Sequence, residues 1–197
     1  MKIIKRLKNT FLGLTLFYVL LSVIGQVYLA SSGEGTAGSV SQAENSGKQL
    51  QKASLVRVVD GDTIIVKISG EDVRVRLIGI DTPESVNPDE SKNSESGKLA
   101  SKYTKSILKK GQTLYLEKDT SNKDKYDRLL RYVWLKKPAS TVTEKEISTK
   151  MLNGILVKKG YAYAKTYYPN IKYSEIFKKL EQEAKNNEIG ILWEKAS

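Results

Sequence analysis

The stretch 56-VRVVDGDTIIVKISGEDVRVRLIGIDTPE-84 carries the strongest structural signal in the chain. Two runs rich in β-branched residues, 63–68 and 73–80, flank the turn-forming residues 69–72, Ser-Gly-Glu-Asp. In the second run, apolar residues alternate with arginines, which is the two-residue period of a strand with one buried face. These features together predict a β-hairpin.

Carboxylates are concentrated at both ends of this hairpin. Asp60 and Asp62 precede the first strand, and Asp81 and Glu84 follow the second. Because hairpin strands run antiparallel, the start of one lies beside the end of the other, so we expect the four acids to meet. A hard divalent cation would offset their repulsion, and ligands that are all oxygens favour Ca²⁺ or Mg²⁺ over zinc. Arg76, expected on the same strand as Asp81, could bind an anion on that metal, which suggests phosphate chemistry.

Each part of this pattern also has a purely structural explanation. Asp-Gly is a common turn, Asp-Thr-Pro is a common strand exit, and Arg76 would suit a solvated strand position. The joint spacing is what favours a functional site: DGDT, then thirteen residues to Arg76, then DTPE.

Composition narrows the possible chemistry. The 197 residues suit one domain with appendages, and they include neither cysteine nor histidine. Disulfides, thiolate metal sites, Ser-His or Cys-His nucleophile systems and a histidine general base are therefore excluded. A formal net charge of +11 favours polyanionic partners such as nucleic acid.

The N-terminal part has the pattern of a targeting segment. Four cations and no acid occur in residues 1–30, and residues 11–29 are almost wholly apolar. We expect a signal peptide that is cleaved near residue 30, leaving a formal charge of +7, or else an uncleaved membrane anchor. Either alternative places the protein outside the membrane, secreted or anchored. Residues 31–53 are polar and predict a flexible linker, so the folded domain is assigned to 54–197.

The remaining sequence alternates between helical and strand patterns. Residues 85–97 are polar and predict a mobile loop beside the acids. Helices are predicted over 98–110, from Ser148 or Thr149 to 159, and over 174–187, and strands over 113–117, over 129–135 and near Ile147. Residues 161–173 interleave tyrosines with lysines, which suits base stacking beside phosphate contacts or, equally, aromatic cover for an edge of the fold.

The order DGDT, Arg76, DTPE resembles the thermonuclease (micrococcal nuclease, SNase-like) family, and the resemblance extends over roughly residues 55–193. It implies an α+β fold, a small antiparallel five-stranded OB-fold β-barrel with three α-helices. It also implies Ca²⁺-dependent, sugar-nonspecific hydrolysis of DNA and RNA, with P–O5′ cleavage that leaves 3′-phosphates. Single strands would be preferred, and the enzyme would be a monomer without an obligate protein partner.

The resemblance assigns roles to the acidic residues. Asp62 and Asp81 would bind Ca²⁺ through their side chains and Thr82 through its main-chain carbonyl, with Asp60 in the outer shell. Glu84 stands where the family has the carboxylate that acts as general base or positions the attacking water.

It also assigns the substrate-binding residues. Arg76 matches the first phosphate-binding arginine of the family, and Arg128 of the segment Lys-Tyr-Asp-Arg matches the second. The further substrate-binding residues would be Lys125, Tyr126, Lys165 and Tyr167. Asp127 replaces a family glycine beside Arg128, and we expect its carboxylate to point away from the phosphate.

A second interpretation belongs to another functional class, a non-catalytic OB-type module that binds nucleic acid or protein. Such a module would be expected to lose acids or arginines of the set, whereas this chain keeps all of them.

Overall fold

The computed structural model describes residues 50–85 and 94–193, which belong to one compact unit spanning residues 46–197. The predicted targeting segment, residues 31–49 of the predicted linker and residues 86–93 of the predicted loop lie outside the described residues. The described strands are β1 Leu50–Asp60, β2 Thr63–Ile68, β3 Glu71–Leu77, β4 Ile80–Asp81, β5 Thr113–Glu117, β6 Leu129–Trp134 and β7 Tyr163–Ala164. The described helices are α1 Glu95–Ile107, α2 Glu144–Lys150, α3 Leu152–Lys158 and α4 Ser174–Asn186.

Five strands close into a barrel in the order β1-β2-β3-β6-β5. Four of the strand contacts are antiparallel and the fifth, β3 with β6, is parallel. A closed ring with an odd number of strands cannot alternate direction throughout, so one parallel contact is required. Inward-facing aliphatic side chains fill the interior, as expected for so small a barrel: Ile64, Val66, Val75, Leu77, Leu114, Leu116 and Val133. The predicted α+β class and OB-type barrel are confirmed.

The predicted hairpin is formed by β2 and β3. Ser69 and Gly70 make a two-residue turn with φ angles of 51° and 93°, and positive φ at both positions suits the right-handed twist of hairpin strands. The second predicted strand is broken, however, because β3 ends at Leu77 and β4 pairs with β7 instead. Gly79 makes this break: its φ is 77°, and a Cβ there would lie 2.7 Å from Phe177. Placing Arg76 and Asp81 on one strand was therefore wrong.

The strand predicted near Ile147 is a helix. Thr143 caps α2 by accepting a hydrogen bond from the backbone N–H of Glu146 at 3.2 Å, and the Thr-x-x-Glu spacing is that of a capping box. Ser148 and Thr149, predicted as caps, lie inside α2, where their hydroxyls donate to the Lys145 carbonyl.

The single helix predicted from Ser148 or Thr149 to residue 159 is replaced by the end of α2 and a separate helix, α3. Met151 separates the two with an extended backbone, φ −98° and ψ 124°, and forms a β-bridge with Trp134. Pairing with the barrel thus overrides the helical preference of this residue, and the described part contains four helices where three were predicted.

The N-terminal boundary of the folded region also differs from the prediction. β1 begins at Leu50 and pairs with β5 from there, and Ala53 is buried. Residues 50–53 therefore belong to the barrel rather than to the linker. Within the described residues, every helix is too short or too polar to cross a bilayer.

Candidate active site

Asp62 is the most constrained acid of the cluster. Its Oδ2 accepts hydrogen bonds from the backbone N–H and the hydroxyl of Thr82 at 2.9 and 3.0 Å, and its Oδ1 accepts from the hydroxyl of Thr63 at 3.1 Å. Gly61 allows this approach, because a Cβ there would lie 2.7 Å from the Thr82 hydroxyl. Asp62, just before β2, is thereby hydrogen-bonded to Thr82, just after β4, as expected for the two ends of an antiparallel hairpin.

Arg76 lies between the two ends of the acid cluster. Its Nη2 is 3.0 Å from Asp62 Oδ2 and 2.8 Å from Asp81 Oδ1. Its Nη1 donates to the main-chain carbonyls of Leu77 and Ile80 at 2.9 and 3.0 Å. The guanidinium is therefore held by three hydrogen bonds and one ion pair, and it brings together the carboxylate of Asp62, in the turn between β1 and β2, and that of Asp81 on β4.

Asp60, the residue that ends β1, is also buried. Its Oδ1 accepts hydrogen bonds from the Gly61 backbone N–H at 2.7 Å and from the Ser85 hydroxyl. Burial raises the pKa of Asp60, and the negative charges of Asp62 and Glu84 raise it further, against the two hydrogen bonds that lower it. Asp60 is thus an acid whose charge the protein does not fully compensate.

Asp81 shows the same imbalance. Burial raises its pKa above the ordinary aspartate value, and the charge of Asp62 adds to this effect. The cations Arg76 and Lys165 lower the pKa but do not cancel the rise.

The uncompensated negative charge of Asp60 and Asp81 is the observation that favours a bound cation. A divalent cation would relieve it, and the donors available at Asp62, Asp81 and the Thr82 carbonyl are all oxygens, as Ca²⁺ requires. Among the described residues, no three acidic side chains are arranged to hold a metal by themselves. The residues that would hold such a cation are therefore Asp62 and Asp81, together with the Thr82 carbonyl.

Glu84 is exposed at the rim of the cluster, and the first turn of α1 holds its main chain. The Glu84 carbonyl accepts a hydrogen bond from the Ser94 backbone N–H at 2.9 Å, while the Ser94 hydroxyl caps α1 through the N–H of Gly97. A Cβ on Gly97 would lie only 2.1 Å from the Glu84 carbonyl oxygen. Sequence reasoning missed this contact because it placed Gly97 at the end of the predicted loop and began the helix at residue 98, whereas α1 begins at Glu95.

Arg128 is oriented by a carboxylate that sequence reasoning also missed. Its Nε donates to Asp124 Oδ2 at 2.7 Å, its backbone N–H donates to Asp124 Oδ1 at 3.0 Å, and its guanidinium lies 5.3 Å from the ring centre of Tyr126. Burial opposes ionisation of Asp124, but the hydrogen bonds from Arg128 and Tyr126 outweigh it and hold the pKa of Asp124 below its ordinary value. Asp124 thus engages the backbone and Nε of Arg128, and Arg128 lines the clefts described below.

Asp127 adopts φ 62°, the left-handed region that glycine enters without strain. This conformation is a physical reason for a glycine at this position in the resembling family. The Asp127 carboxylate accepts a hydrogen bond from Lys123 at 2.7 Å and its side chain is 83% exposed. It is thus paired with a lysine rather than with Arg128.

Two adjoining clefts bring the predicted site residues together. The acidic cleft has a volume of about 650 Å³, and its lining includes Asp60, Asp62, Arg74, Arg76, Asp81, Thr82, Glu84, Tyr126, Arg128 and Tyr167. The aromatic cleft has a volume of about 400 Å³, and its lining includes Arg76, Lys123, Lys125, Tyr126, Arg128, Tyr167 and Tyr168. Four residues line both clefts: Arg76, Tyr126, Arg128 and Tyr167. Both arginines therefore stand where the acids on one side meet the exposed aromatic rings on the other.

Lys165 is the one predicted substrate-binding residue that lines neither cleft. It is exposed, and its charge is close enough to lower the pKa of Asp81. Sequence reasoning did not single out Arg74, Lys123 or Tyr168, which line the clefts, because exposed arginines, lysines and tyrosines are common on surfaces.

Comparison with known proteins agrees with this geometry. The family model described as "Staphylococcal nuclease homologue" matches residues 74–195. A thermonuclease of Staphylococcus intermedius is 44% identical over 139 residues, covering 71% of this chain and 74% of the relative. A thermonuclease of Staphylococcus hyicus is 36% identical over 178 residues, 90% of this chain and 94% of the relative. The SPbeta prophage-derived endonuclease YokF of Bacillus subtilis (strain 168) is 41% identical over 150 residues, 75% of this chain and 46% of the relative.

The matched region runs from β3 to the end of the described residues and includes both arginines, Asp81 and Glu84. Together with the barrel, this match leaves a plain conclusion: the chain belongs to the staphylococcal nuclease family.

Proposed function

We propose that this protein is a nuclease that hydrolyses the phosphodiester bonds of DNA and RNA. The observation that supports this proposal most directly is the position of Arg76 and Arg128, which line both the acidic and the aromatic cleft. A phosphodiester bound by these arginines would have carboxylates on one side and aromatic rings for its bases on the other. The thermonuclease and endonuclease names of the relatives support the same activity.

The arginines bind the non-bridging phosphoryl oxygens. A guanidinium donates paired hydrogen bonds, and these strengthen as negative charge grows on the phosphoryl group. Before substrate arrives, Asp124 holds Arg128 through Nε, and Asp62 and Asp81 hold Nη2 of Arg76, so a phosphoryl oxygen bound by that Nη2 would replace a carboxylate contact. Loss of one such donor typically costs about 3 kcal/mol of transition-state stabilisation.

Glu84 accepts the proton of the attacking water. The chain contains no histidine, and a carboxylate is among the remaining side chains that can accept a proton from water. The Glu84 side chain is exposed to the acidic cleft, whereas its main chain is held by α1, a combination that gives it access to water at a defined position.

Asp62 and Asp81, with the Thr82 carbonyl, would hold Ca²⁺, and Asp60 would support them from the outer shell. The bound ion would supply Lewis-acid stabilisation of the phosphoryl oxygens and lower the pKa of a water molecule. The P–O5′ direction of cleavage and the 3′-phosphate product are part of the proposal through the family resemblance.

The aromatic cleft favours unpaired bases. Tyr126 and Tyr167 are 66% and 47% exposed and can stack on a base of any identity. Lys125 and Lys165 would contact flanking phosphates. Stacking requires a base that is free of its duplex partner, so we propose that single strands are preferred. We further propose that the protein is exported by the segment 1–30 and acts as a monomer outside the membrane.

Cleavage of a labelled single-stranded DNA by the purified full-length chain tests the proposal. The reaction is run with Ca²⁺ and with a chelator, beside the variant Asp62→Ala and the matched control Asp72→Ala. Asp72 is an exposed acid that lines neither cleft. We expect Ca²⁺-dependent cleavage by wild type and the control, and none by Asp62→Ala. Salt-sensitive binding without cleavage under any metal would refute the nuclease and favour the non-catalytic binding module.

A further inference from the structure

Arg74 is a third arginine of the acidic cleft that no predicted role accounts for. It precedes Arg76 by two residues on β3, so both side chains stand on the same face of the strand. Both line the acidic cleft, but only Arg76 also lines the aromatic cleft. Arg74 therefore lies on the side of Arg76 that belongs to the acidic cleft alone.

The guanidinium of Arg74 keeps its donors available. Arg76 is paired with Asp62 and Asp81, and Arg128 is paired with Asp124. The side chain of Arg74 is exposed and makes no hydrogen bond or ion pair with any residue that the structure describes. Its charge is thus not used to stabilise the acid cluster.

Arg57 is a second exposed arginine, and it lies across the sheet from Arg74. In the strand register, Arg57 of β1 lies opposite Ile65 of β2, and Ile65 lies opposite Arg74. Residues directly opposite one another on neighbouring strands share a face. Arg57 is also exposed, and its side chain likewise makes no hydrogen bond or ion pair within the described ranges. The three arginines 76, 74 and 57 therefore follow one another on the outer face of β1 to β3.

Their spacing suits a nucleic-acid backbone. Two residues along a strand span roughly 6.7 Å, and two strands separated by a third, as β1 and β3 are by β2, lie roughly 9.6 Å apart. Consecutive phosphates of an extended single strand are separated by a distance close to the first of these, and flexible arginine side chains can bridge the second. We propose that Arg74 and Arg57 form a phosphate track, which binds the polynucleotide backbone beyond the scissile phosphate. This inference rests on the proposed nuclease function, and it implies a preference for substrates longer than a dinucleotide.

Binding of fluorescently labelled dT2 and dT8 to the full-length chain, measured by anisotropy in chelator to prevent cleavage, tests the track. The variants are Arg74→Ala, Arg74→Lys and the double variant Arg57→Ala/Arg74→Ala. The matched control is Lys137→Ala, which removes an exposed cation that lines neither cleft. Each affinity is measured over a range of salt concentrations, and thermal unfolding checks that each variant is folded.

We expect Arg74→Ala to weaken dT8 binding by roughly fivefold, with a clearly smaller loss for dT2. The magnitude of the slope of log affinity against log salt should fall by about 0.7 for each arginine removed. Binding then neutralises one phosphate fewer and so releases fewer counterions from the strand. Arg74→Lys should recover most of the dT8 affinity. Equal losses for dT2 and dT8, or a dT8 affinity equal to that of Lys137→Ala, would overturn the track and leave the nuclease proposal standing. Absence of both binding and cleavage in wild type would overturn the two together.

Discussion

Substitution of Gly97 by alanine tests how the fold places Glu84. An added Cβ would lie 2.1 Å from the Glu84 carbonyl oxygen, whereas an unstrained C···O contact requires about 3.3 Å. The loop that carries Glu84 must therefore retreat by about 1 Å, or α1 must move by the same amount. Overpacking of this kind costs about 1–3 kcal/mol, and the higher helix propensity of alanine returns about 1 kcal/mol.

We expect two measurable effects of Gly97→Ala. The free energy of unfolding should fall by about 1 kcal/mol, which corresponds to a decrease in Tm of about 2–4 °C for a domain of this size. The value of kcat should fall by about a hundredfold, because a catalytic group displaced by about 1 Å loses its geometry for proton transfer. KM should change much less, since both phosphate-binding arginines lie on other elements.

Single-stranded DNA cleavage at saturating Ca²⁺ and thermal unfolding by circular dichroism measure these effects. Lys102→Ala is the matched control, because it introduces alanine at an exposed position of α1. Wild-type kcat together with an unchanged or higher Tm in Gly97→Ala would refute the reasoning. It would mean that the loop yields without cost and that α1 does not position Glu84.

Three further perturbations test the site. Glu84→Gln should retain Ca²⁺ binding in calorimetric titration but lose turnover by about 10²–10⁴-fold; wild-type rates would remove Glu84 from the mechanism. Arg128→Lys should lower kcat by roughly a hundredfold, because lysine keeps the charge but cannot donate the planar fork, and near-normal cleavage would mean that another residue binds the phosphate. In chelator, wild-type stability should fall as pH rises through the pKa of Asp60, since burial raises that pKa and the folded state holds the proton more tightly than the unfolded chain. Asp60→Asn should therefore raise Tm at pH 7, with a gain that disappears below the ordinary aspartate pKa of about 3.8; a gain independent of pH would contradict this cause.

Much of the site followed from local sequence patterns. The two-residue period of β3 and the Ser-Gly turn determine the hairpin, and an antiparallel hairpin necessarily brings the residues before its first strand close to those after its second. The meeting of Asp62 with the Asp81-Thr82 segment was therefore predictable before any tertiary contact was known. The match of Arg128 to a family arginine required the resemblance, because the long interval of sequence between the hairpin and Arg128 has no period that indicates proximity.

Local patterns failed wherever a distant residue decided the conformation. Strand β4 separates from β3 because Phe177 of α4 packs against Gly79. The helix at Ile147 is an exception, because its capping box at Thr143 is a local signal that was overlooked, whereas the break at Met151 depends on the bridge from that residue to Trp134 in the barrel. The free energies that separate these local alternatives are small, so tertiary packing chooses between them.

The sequence by itself thus determined the hairpin, the acid cluster and the absence of histidine chemistry, because these depend on residue type and short spacing. Only the tertiary structure decided which residues from distant parts of the chain contact the site residues. It brought Gly97 against Glu84, placed Arg57 across the sheet from Arg74, and set both phosphate-binding arginines between two clefts. Closure of the barrel is the physical reason, since it fixes contacts between residues far apart in the chain that no local pattern encodes.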